Sequence, residues 1–198
     1  SMGRVLTLDG LMMTTERDEF YYHEMISHIP MMSHKNPESV LVIGGGDGGT
    51  IREVLKHDTV KKVVLCEIDG MVVDACKKYL PTIGCELDNP KVEVKIEDAI
   101  EFIKDKKACY DVILIDSTDP MGPGEGLFTE EFYTNVKEAL KQGGIMAAQS
   151  ESPFINQAEM KKMYPLLRNV FPIVDTFTGP IPSSPGGYWS WCVCSDTV

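Results

Sequence analysis

The fold is decided by residues 40–50, VLVIGGGDGGT, where an apolar run passes directly into a glycine-rich turn. A stretch with helical character, residues 50–57, follows at once. Gly44, Gly46 and Gly49 satisfy G-x-G-x-x-G in the strand–turn–helix setting that gives this pattern its meaning. Glycine permits the tight turn and lets the backbone approach a ligand closely, with the helix N-terminus pointing at it. The stretch therefore predicts a nucleoside-binding site and leaves the nucleoside open.

An acidic residue at the end of the next apolar run strengthens this prediction. Glu67, in the sequence CEID, follows the glycines at about the 20-residue distance where an acidic side chain takes a ribose diol. An NAD-type dinucleotide and a smaller adenosine derivative both remain compatible with this pair of features.

The charge of the chain restricts its partners. The 198 residues carry 19 basic and 30 acidic side chains, a net charge of −11. Such a field repels nucleic acid and anionic lipid and favours cationic ligands. The sequence contains no run of about 18 apolar residues, so no membrane span is predicted. The six cysteines show no C-x-x-C spacing, so we expect free thiols, no zinc site and a cytoplasmic location.

Short β-branched runs alternate with helical stretches along most of the chain. Strands are predicted at 40–43, 62–67, 92–96, 111–115 and 144–148, and helices at 50–57, 70–79, 99–104, 130–141 and 157–169. This order predicts an α/β fold, a Rossmann-like, methyltransferase-type doubly wound sheet that is mostly parallel and covered on both faces. Two final strand-like runs, 173–178 and 188–195, flank a Pro/Gly-rich loop without helical character and predict an antiparallel hairpin at the sheet edge.

The first 38 residues are expected to form a separate entry segment before the catalytic domain at 39–198. Residues 4–10, RVLTLDG, predict a hairpin strand and turn whose partner strand is expected to be absent. Thr15 is expected to cap a following helix that carries Glu16, Asp18 and Glu19 in its early turn. His57 is expected to end a helix and to interact with its dipole.

Polar side chains follow each of the five central strands. They are Asp47, Glu67 and Asp69, Glu97 and Asp98, Asp116 and Asp119, and Gln149 and Glu151. Ligands of open α/β sheets bind beyond the carboxyl ends of the strands. The sequence therefore predicts a cation-binding rim at that edge.

The segment YDVILIDSTDPMGPGEGLF, residues 110–128, carries the most specific part of this rim. Asp116 and Asp119 bracket a turn that its prolines and glycines are expected to make rigid and non-helical. Two carboxylates on such a loop can hold an ammonium or accept a proton from an amine, and paired aspartates also hold Mg²⁺. The absence of G-x-x-x-x-G-K argues against a phosphate–magnesium site. The four histidines share no metal-ligand spacing, so no metal site is predicted.

These motifs together resemble one family. TERDEFYYHEM, GGGDGG, CEID, the aspartate after the third strand and DSTDPMGP are similar to motifs of the polyamine aminopropyltransferases, the spermidine synthase family, over nearly the whole chain. The resemblance implies transfer of the aminopropyl group of decarboxylated S-adenosylmethionine, a co-substrate, to putrescine. The products would be spermidine and 5′-methylthioadenosine. No prosthetic group or metal is implied, and a homodimer or homotetramer is expected.

Residue roles follow from the same resemblance. The residues implied to bind the donor are Gly44, Gly46, Asp47, Gly48, Glu67, Ile68, Asp98, Ala99 and Asp116. Within this set Glu67 would take the ribose diol, Asp98 with Ala99 the adenine, and Asp47 the amine of the aminopropyl arm. Asp116 would deprotonate the attacking amine, with Tyr22 as the second catalytic residue. The residues implied to bind the acceptor amine are His23, Asp47, Asp119, Gln149 and Glu151.

Two departures from the family pattern bear on activity. Ser184 stands where the family commonly has an aromatic residue in the late loop, which leaves the acceptor open among putrescine, agmatine, cadaverine and spermidine. Most of the family's small N-terminal β-domain is expected to be missing, so poor turnover is expected.

Three other classes of function remain as alternatives. An S-adenosylmethionine-dependent amine N-methyltransferase would place Asp47 beside a methionine carboxylate, which would repel it. An NAD-dependent oxidoreductase would leave Asp98 and the DSTDP loop without a task. A non-catalytic paralogue would have no use for an intact Tyr22, Asp47 and Asp116.

Overall fold

The computed structural model describes residues 2–118 and 122–197. The strands are β1 Val5–Leu8, β2 Leu11–Thr15, β3 Ser39–Gly44, β4 Lys62–Glu67, β5 Val92–Ile96, β6 Tyr110–Asp116, β7 Leu140–Gln149, β8 Ile173–Pro180 and β9 Tyr188–Ser195. The α-helices are α1 Glu19–Ser33, α2 Gly49–Val54, α3 Gly70–Tyr79, α4 Ala99–Lys104, α5 Glu130–Ala139 and α6 Gln157–Val170. Short 3₁₀ helices span Gly84–Glu86 and Gly122–Leu127, and Pro185–Gly187 forms a turn with non-helical backbone at Gly186.

Seven of the strands form one sheet in the order β5-β4-β3-β6-β7-β9-β8. The five strands from β5 to β7 pair in parallel. Strand β9 is antiparallel to both β7 and β8, which makes the final pair a hairpin at the sheet edge. The predicted α/β class and the predicted edge hairpin are both confirmed. Because the chain winds outward from β3 in one direction and resumes at β6 in the other, the switch point of the sheet lies between β3 and β6.

Alternate residues of the central strands fill the two faces of the sheet, as the period-2 geometry of strands requires. Leu41 of β3 and Ile113 of β6 lie fully buried in a cluster with Phe132, Met163 and other residues of α5 and α6. Residues one step along these strands, such as Val42, lie in a second cluster on the opposite face with α2. The near-continuous apolar runs of these strands are therefore explained by burial on both sides.

The N-terminal segment differs from its prediction in two respects. Strand β1 has its partner within the chain, because it pairs antiparallel with β2. Thr15 is the last residue of β2 and does not cap the helix, which begins at Glu19 after Asp18. The Thr15 hydroxyl donates instead to Oδ1 of Asp18 at 2.6 Å. The polar residues after Thr15 favoured a helix cap at that position. Pairing of β2 with β1 instead extends the strand through Thr15.

Three helix predictions also need correction. Helix α2 ends at Val54, so His57 lies beyond it and bonds to His28 rather than serving the helix end. Helix α5 ends at Ala139, and Leu140 already belongs to β7. Gly122–Leu127 forms a 3₁₀ helix where a non-helical turn was expected, in keeping with the use of short 3₁₀ pieces as connectors. In the late Pro/Gly-rich loop, Gly186 adopts φ +78°, which is not helical, so this loop lacks a regular helix as predicted.

No helix among residues 2–118 and 122–197 has the length and apolarity needed to cross a bilayer.

Candidate active site

The site lies at the carboxyl ends of β3, β4 and β6, next to the switch point of the sheet. Gly44 is paired with Asp116 in the parallel register of β3 and β6. A Cβ atom on Gly45 would lie 2.7 Å from Oδ2 of Asp116, and one on Gly46 would lie 2.8 Å from Oε2 of Glu67. Neighbouring glycines therefore allow two carboxylates to approach the loop backbone, one on each side.

Asp116 is the centre of the first half of the site. The Tyr22 phenol donates to its Oδ1 at 2.7 Å, and the Thr50 hydroxyl donates to its Oδ2 at 2.6 Å. Burial and repulsion from Asp47 raise the pKa of Asp116, whereas the nearby His23 lowers it. The net effect is a pKa above the ordinary value of an aspartate. Burial and the same carboxylate hold the pKa of Tyr22 far above its usual range. Tyr22 is thus a neutral donor that orients a carboxylate with increased basicity.

Asp47 lies in the glycine loop and forms a second anionic position. Its Oδ1 accepts from the backbone amide of Gly49 at 2.8 Å, and its Oδ2 lies 3.3 Å from Nε2 of His23. The side chain of His23 is buried against the loop, where a Cβ on Gly49 would collide with Nδ1 of the ring. Glycine at position 49 is therefore required by the ring of His23.

A buried ion pair supports His23 from behind. Its Nδ1 lies 2.5 Å from Oε2 of Glu19, whose two oxygens accept from both terminal nitrogens of Arg52 at 3.0 and 2.9 Å. Burial by itself lowers the pKa of His23, but Asp47 and Glu19 raise it to about 10. Burial raises the pKa of Glu19 less than its partners lower it, to about 2. Both groups are therefore charged at neutral pH.

Glu67 forms the nucleoside side of the site. Its Oε2 accepts from the amide of Gly46 at 3.1 Å and its Oε1 from the amide of Asp69 at 3.0 Å. The residue is 9% exposed, and burial raises its pKa despite these backbone hydrogen bonds. A carboxylate held at this point can accept hydrogen bonds from a diol.

The residues after β4 and β5 extend this side. Asp98 caps α4 by accepting from the amide of Ile100 at 2.8 Å, and Ala99 is the first residue of that helix. Ile68 and Ile96 are 55% and 49% exposed, which is unusual for large apolar side chains next to a carboxylate. Exposed apolar surface beside Glu67 can receive a flat base.

Gln149 ends β7, Glu151 lies two residues beyond it, and the two residues bond to each other. The amide of Gln149 donates to Oε1 of Glu151 at 3.1 Å, and the backbone amide of Glu151 donates back to Gln149 at 3.0 Å. Glu151 is buried and adopts φ +72°, a conformation that costs free energy in a non-glycine residue. Ser190 holds it there, since its hydroxyl donates to the Glu151 carbonyl at 2.7 Å.

Aromatic residues and the late loop enclose the space between these groups. The Trp191 ring stacks on Phe177 and lies 5.6 Å from the ring of Tyr22. Ile181, the first residue of the loop that follows β8, packs in the same cluster. The next turn of the loop is tied to the entry helix, because Ser183 donates to Asp18 through its amide at 2.8 Å and its hydroxyl at 3.0 Å.

The structure thus places Tyr22, His23, Asp47 and Asp116 in one contiguous group around the glycine loop, with Glu67 beside it. Asp119 lies outside the described residues. Within the described part of the chain, no group of three or more His, Cys, Asp or Glu side chains is placed to hold a metal ion.

Several site residues were not found from the sequence. Glu19 and Arg52 pair across 33 positions, and Ser183 reaches Asp18 across 165. No local pattern signals such contacts. Thr50 is the exception, because its place directly after the glycine loop could have indicated a side chain facing the site.

The fold and the site define a nucleoside-binding α/β protein with a carboxylate-lined position for a cation. Comparison with known proteins narrows this class. The family model described as "Spermine/spermidine synthase domain" matches residues 19–198. A polyamine aminopropyltransferase of Clostridium kluyveri is 53% identical over 195 residues, covering 98% of this chain and 71% of that protein. One from Caldicellulosiruptor bescii is 52% identical over 193 residues, covering 98% and 69%.

Solved structures agree with these relatives. A crystal structure described as spermidine synthase in complex with the transition state analogue AdoDATO matches with a TM-score of 0.98 and 48% identity, covering 100% of this chain and 68% of that one. Spermidine synthase from Thermotoga maritima matches with a TM-score of 0.93 and 46% identity, covering 100% and 66%. The chain therefore belongs to the spermine/spermidine synthase family of polyamine aminopropyltransferases.

Proposed function

We propose that the chain transfers the aminopropyl group of decarboxylated S-adenosylmethionine to putrescine, giving spermidine and 5′-methylthioadenosine. The observation that carries this proposal is the pair of anionic positions in the site. Asp47 contacts His23 at 3.3 Å, Asp116 interacts electrostatically with both of these residues, and the nucleoside position at Glu67 lies beside them. A donor with an adenosine, a sulfonium and a free ammonium matches this order of groups.

The donor would lie along the ends of β3, β4 and β5. Glu67 would accept from the ribose diol, Asp98 and Ala99 would contact the adenine edge, and Ile68 would cover its face. Asp47 would hold the ammonium of the aminopropyl arm, since its Oδ2 faces the site beside His23. The methionine carboxylate of ordinary S-adenosylmethionine would be repelled at this position.

Asp116 would act as the general base. A primary amine has a pKa of about 10.4, so it arrives as an ammonium ion that cannot attack. Asp116 would accept one of its protons, and the amine nitrogen would form a bond to the methylene carbon next to sulfur as the carbon–sulfur bond breaks and its electron pair stays on sulfur. Tyr22 and Thr50 support this role by fixing both oxygens of the carboxylate while leaving each a second lone pair.

The distal ammonium of the acceptor would bind next to Gln149, Glu151 and the aromatic cluster around Trp191. Buried Glu151 supports this placement, because a carboxylate held in a strained backbone conformation marks a functional position. His23 and Asp119 complete the set of acceptor residues that we propose.

Acceptors other than putrescine are supported by one residue. Ser184 occupies the late loop between Ile181 and Gly187, whose backbones bond to each other at 3.1 Å. A serine here takes less space than an aromatic side chain, so agmatine, cadaverine or spermidine could replace putrescine.

We also propose a homodimer or homotetramer and a division into an entry segment, 1–38, and a catalytic domain, 39–198. The exposed apolar side chains Leu11, Met12 and Met13 of β2 support a contact with further protein.

Calorimetric titration with decarboxylated S-adenosylmethionine and with S-adenosylmethionine tests the proposed donor. Clear preference for the decarboxylated form is expected, and preference for the intact form would replace the proposal with methyl transfer. Chromatographic analysis of the products formed from the donor with each of putrescine, agmatine, cadaverine and spermidine then identifies the acceptor.

A further inference from the structure

His23 has a negatively charged partner at each of its ring nitrogens. Nδ1 lies 2.5 Å from Glu19, and Nε2 lies 3.3 Å from Asp47. A neutral imidazole donates through only one nitrogen, and its other nitrogen would then direct a lone pair at a carboxylate. A doubly protonated ring satisfies both contacts, and the two carboxylates, with Asp116 nearby, raise the pKa of His23 to about 10.

This imidazolium lies where a cationic substrate is expected. The charged and titratable groups that face it are Glu19 and Tyr22 from α1, Asp47 from the glycine loop, and Asp116 from β6. Arg52 of α2 contacts Glu19 from the far side. A substrate ammonium that binds Asp47 would meet the proton on Nε2, so one of the two positive charges must leave or move away.

The two ring nitrogens are not equivalent in this respect. Glu19 is 9% exposed and is fixed by two hydrogen bonds from Arg52, which also donates to the carbonyl of Thr82 at 3.0 Å. The contact of Nδ1 with Glu19 is shorter than that of Nε2 with Asp47. The proton on Nδ1 is therefore the better held of the two, and the proton on Nε2 is the one that can be lost.

We propose that Glu19, held by Arg52, is a positioning residue for the transfer reaction. Glu19 fixes the His23 ring through Nδ1. When the substrate binds, Nε2 changes from a donor to Asp47 into an acceptor for the substrate ammonium. The proton on Nε2 passes to solvent when the cationic ligand binds. Nδ1 keeps its proton and its bond to Glu19, and the lone pair of Nε2 accepts an N–H of the ammonium. This step rests on the proposed function, whereas the role of Glu19 in the free protein does not.

Titration of the His23 ring by ¹⁵N NMR tests the positioning role without any ligand. Glu19→Gln is expected to lower the pKa of His23 by about 1–3 units, because a carboxylate at contact distance raises it by that amount. The matched control is Glu53→Gln. Glu53 is 1% exposed and contacts Arg52 at 2.9 Å, so this variant removes another buried charge from the same arginine without touching His23. An unchanged titration in Glu19→Gln, or an equal change in Glu53→Gln, would overturn the proposal.

The wild-type protein provides a test that does not depend on folding of a variant. Calorimetry of decarboxylated S-adenosylmethionine binding at pH 8, in buffers with different ionisation enthalpies, is expected to show net proton release. The NMR spectrum of the complex should show a neutral His23 protonated on Nδ1. Binding without proton release, or a ring protonated on Nε2, would refute the inference. A protein that does not bind the donor would refute the proposed function instead, and the titration of the free ring would still decide the role of Glu19.

Discussion

The phenol of Tyr22 donates a 2.7 Å hydrogen bond to Oδ1 of Asp116, although 94 positions separate the two residues in the chain. Helix α1 brings Tyr22 over the ends of the parallel strands, where β6 delivers Asp116. Each residue belongs to a motif of its own, but no local pattern shows that the two are in contact. Their contact places a neutral donor on a carboxylate of raised pKa, and this arrangement is the basis of the first two predictions.

Asp116→Asn is expected to lower the rate of aminopropyl transfer by about 10²–10⁴-fold, because an amide cannot take the proton of the attacking amine. Binding of 5′-methylthioadenosine, measured by calorimetry, should stay near normal. Asp111→Asn is a matched control at the other end of β6, where Asp111 accepts from Ser39 at 2.8 Å. A wild-type rate in Asp116→Asn would show that another group is the base.

The same Asp116→Asn variant is expected to be more stable than the wild type at pH 7. The pKa of Asp116 is higher in the folded protein than in the unfolded chain, so ionisation opposes folding. Below the unfolded pKa of about 3.8 the carboxyl is protonated in both states, and the advantage of asparagine should vanish. It should grow as the pH rises toward the folded pKa and stay constant above it. Denaturant unfolding of both proteins between pH 4 and pH 8 measures this difference. A variant whose stability falls relative to the wild type as the pH rises would contradict the prediction.

Asp47→Asn is expected to weaken binding of decarboxylated S-adenosylmethionine by about 10–100-fold, since a hydrogen bond to a charged group contributes about 1.5–3 kcal/mol. 5′-Methylthioadenosine lacks the aminopropyl ammonium and serves as the internal control. Its affinity, measured in the same titration series, should change little. Equal losses for the two ligands would mean that Asp47 shapes the glycine loop rather than binding the amine.

Gly46→Ala is expected to weaken the binding of decarboxylated S-adenosylmethionine and of 5′-methylthioadenosine by a similar factor. The new Cβ would lie 2.8 Å from Oε2 of Glu67 and would force that carboxylate away from its place. Gly70→Ala is the matched control, because its Cβ would make only ordinary contacts of 3.5 Å with Ile96. If Gly46→Ala binds both nucleosides normally, Glu67 does not hold the ribose.

Ser183→Ala is expected to raise KM for the acceptor amine several-fold and to leave donor affinity unchanged. The substitution removes the hydroxyl contact with Asp18 and weakens the attachment of the late loop by about 0.5–1.5 kcal/mol. Steady-state kinetics with each substrate varied in turn separates the two effects. Ser33→Ala, which removes a hydrogen bond to the carbonyl of Ile29 on α1, is the control. A change in donor affinity alone would place the loop on the nucleoside side.

Local pattern was sufficient for the central elements of the fold. The apolar runs at β3, β4 and β6 are long enough to be buried on both faces, and their alternation with helices leaves few arrangements open. The glycine loop and Glu67 could be assigned to a nucleoside because backbone approach and acidic spacing are local properties. Hairpin pairing of β1 with β2 and the true start of α1 were missed, because a cap signal and a strand end compete for Thr15 and only pairing decides between them.

The sequence by itself therefore determined the order of strands and helices, the glycine turn and the set of carboxylates that follow the strands. Tertiary structure alone decided which of these groups act on one another. The contacts of Tyr22 with Asp116, of Glu19 with Arg52 and of Asp18 with Ser183 join segments that are far apart in the chain. Charge state and side-chain orientation depend on burial and on the nearest partners, and neither is encoded in spacing along the chain.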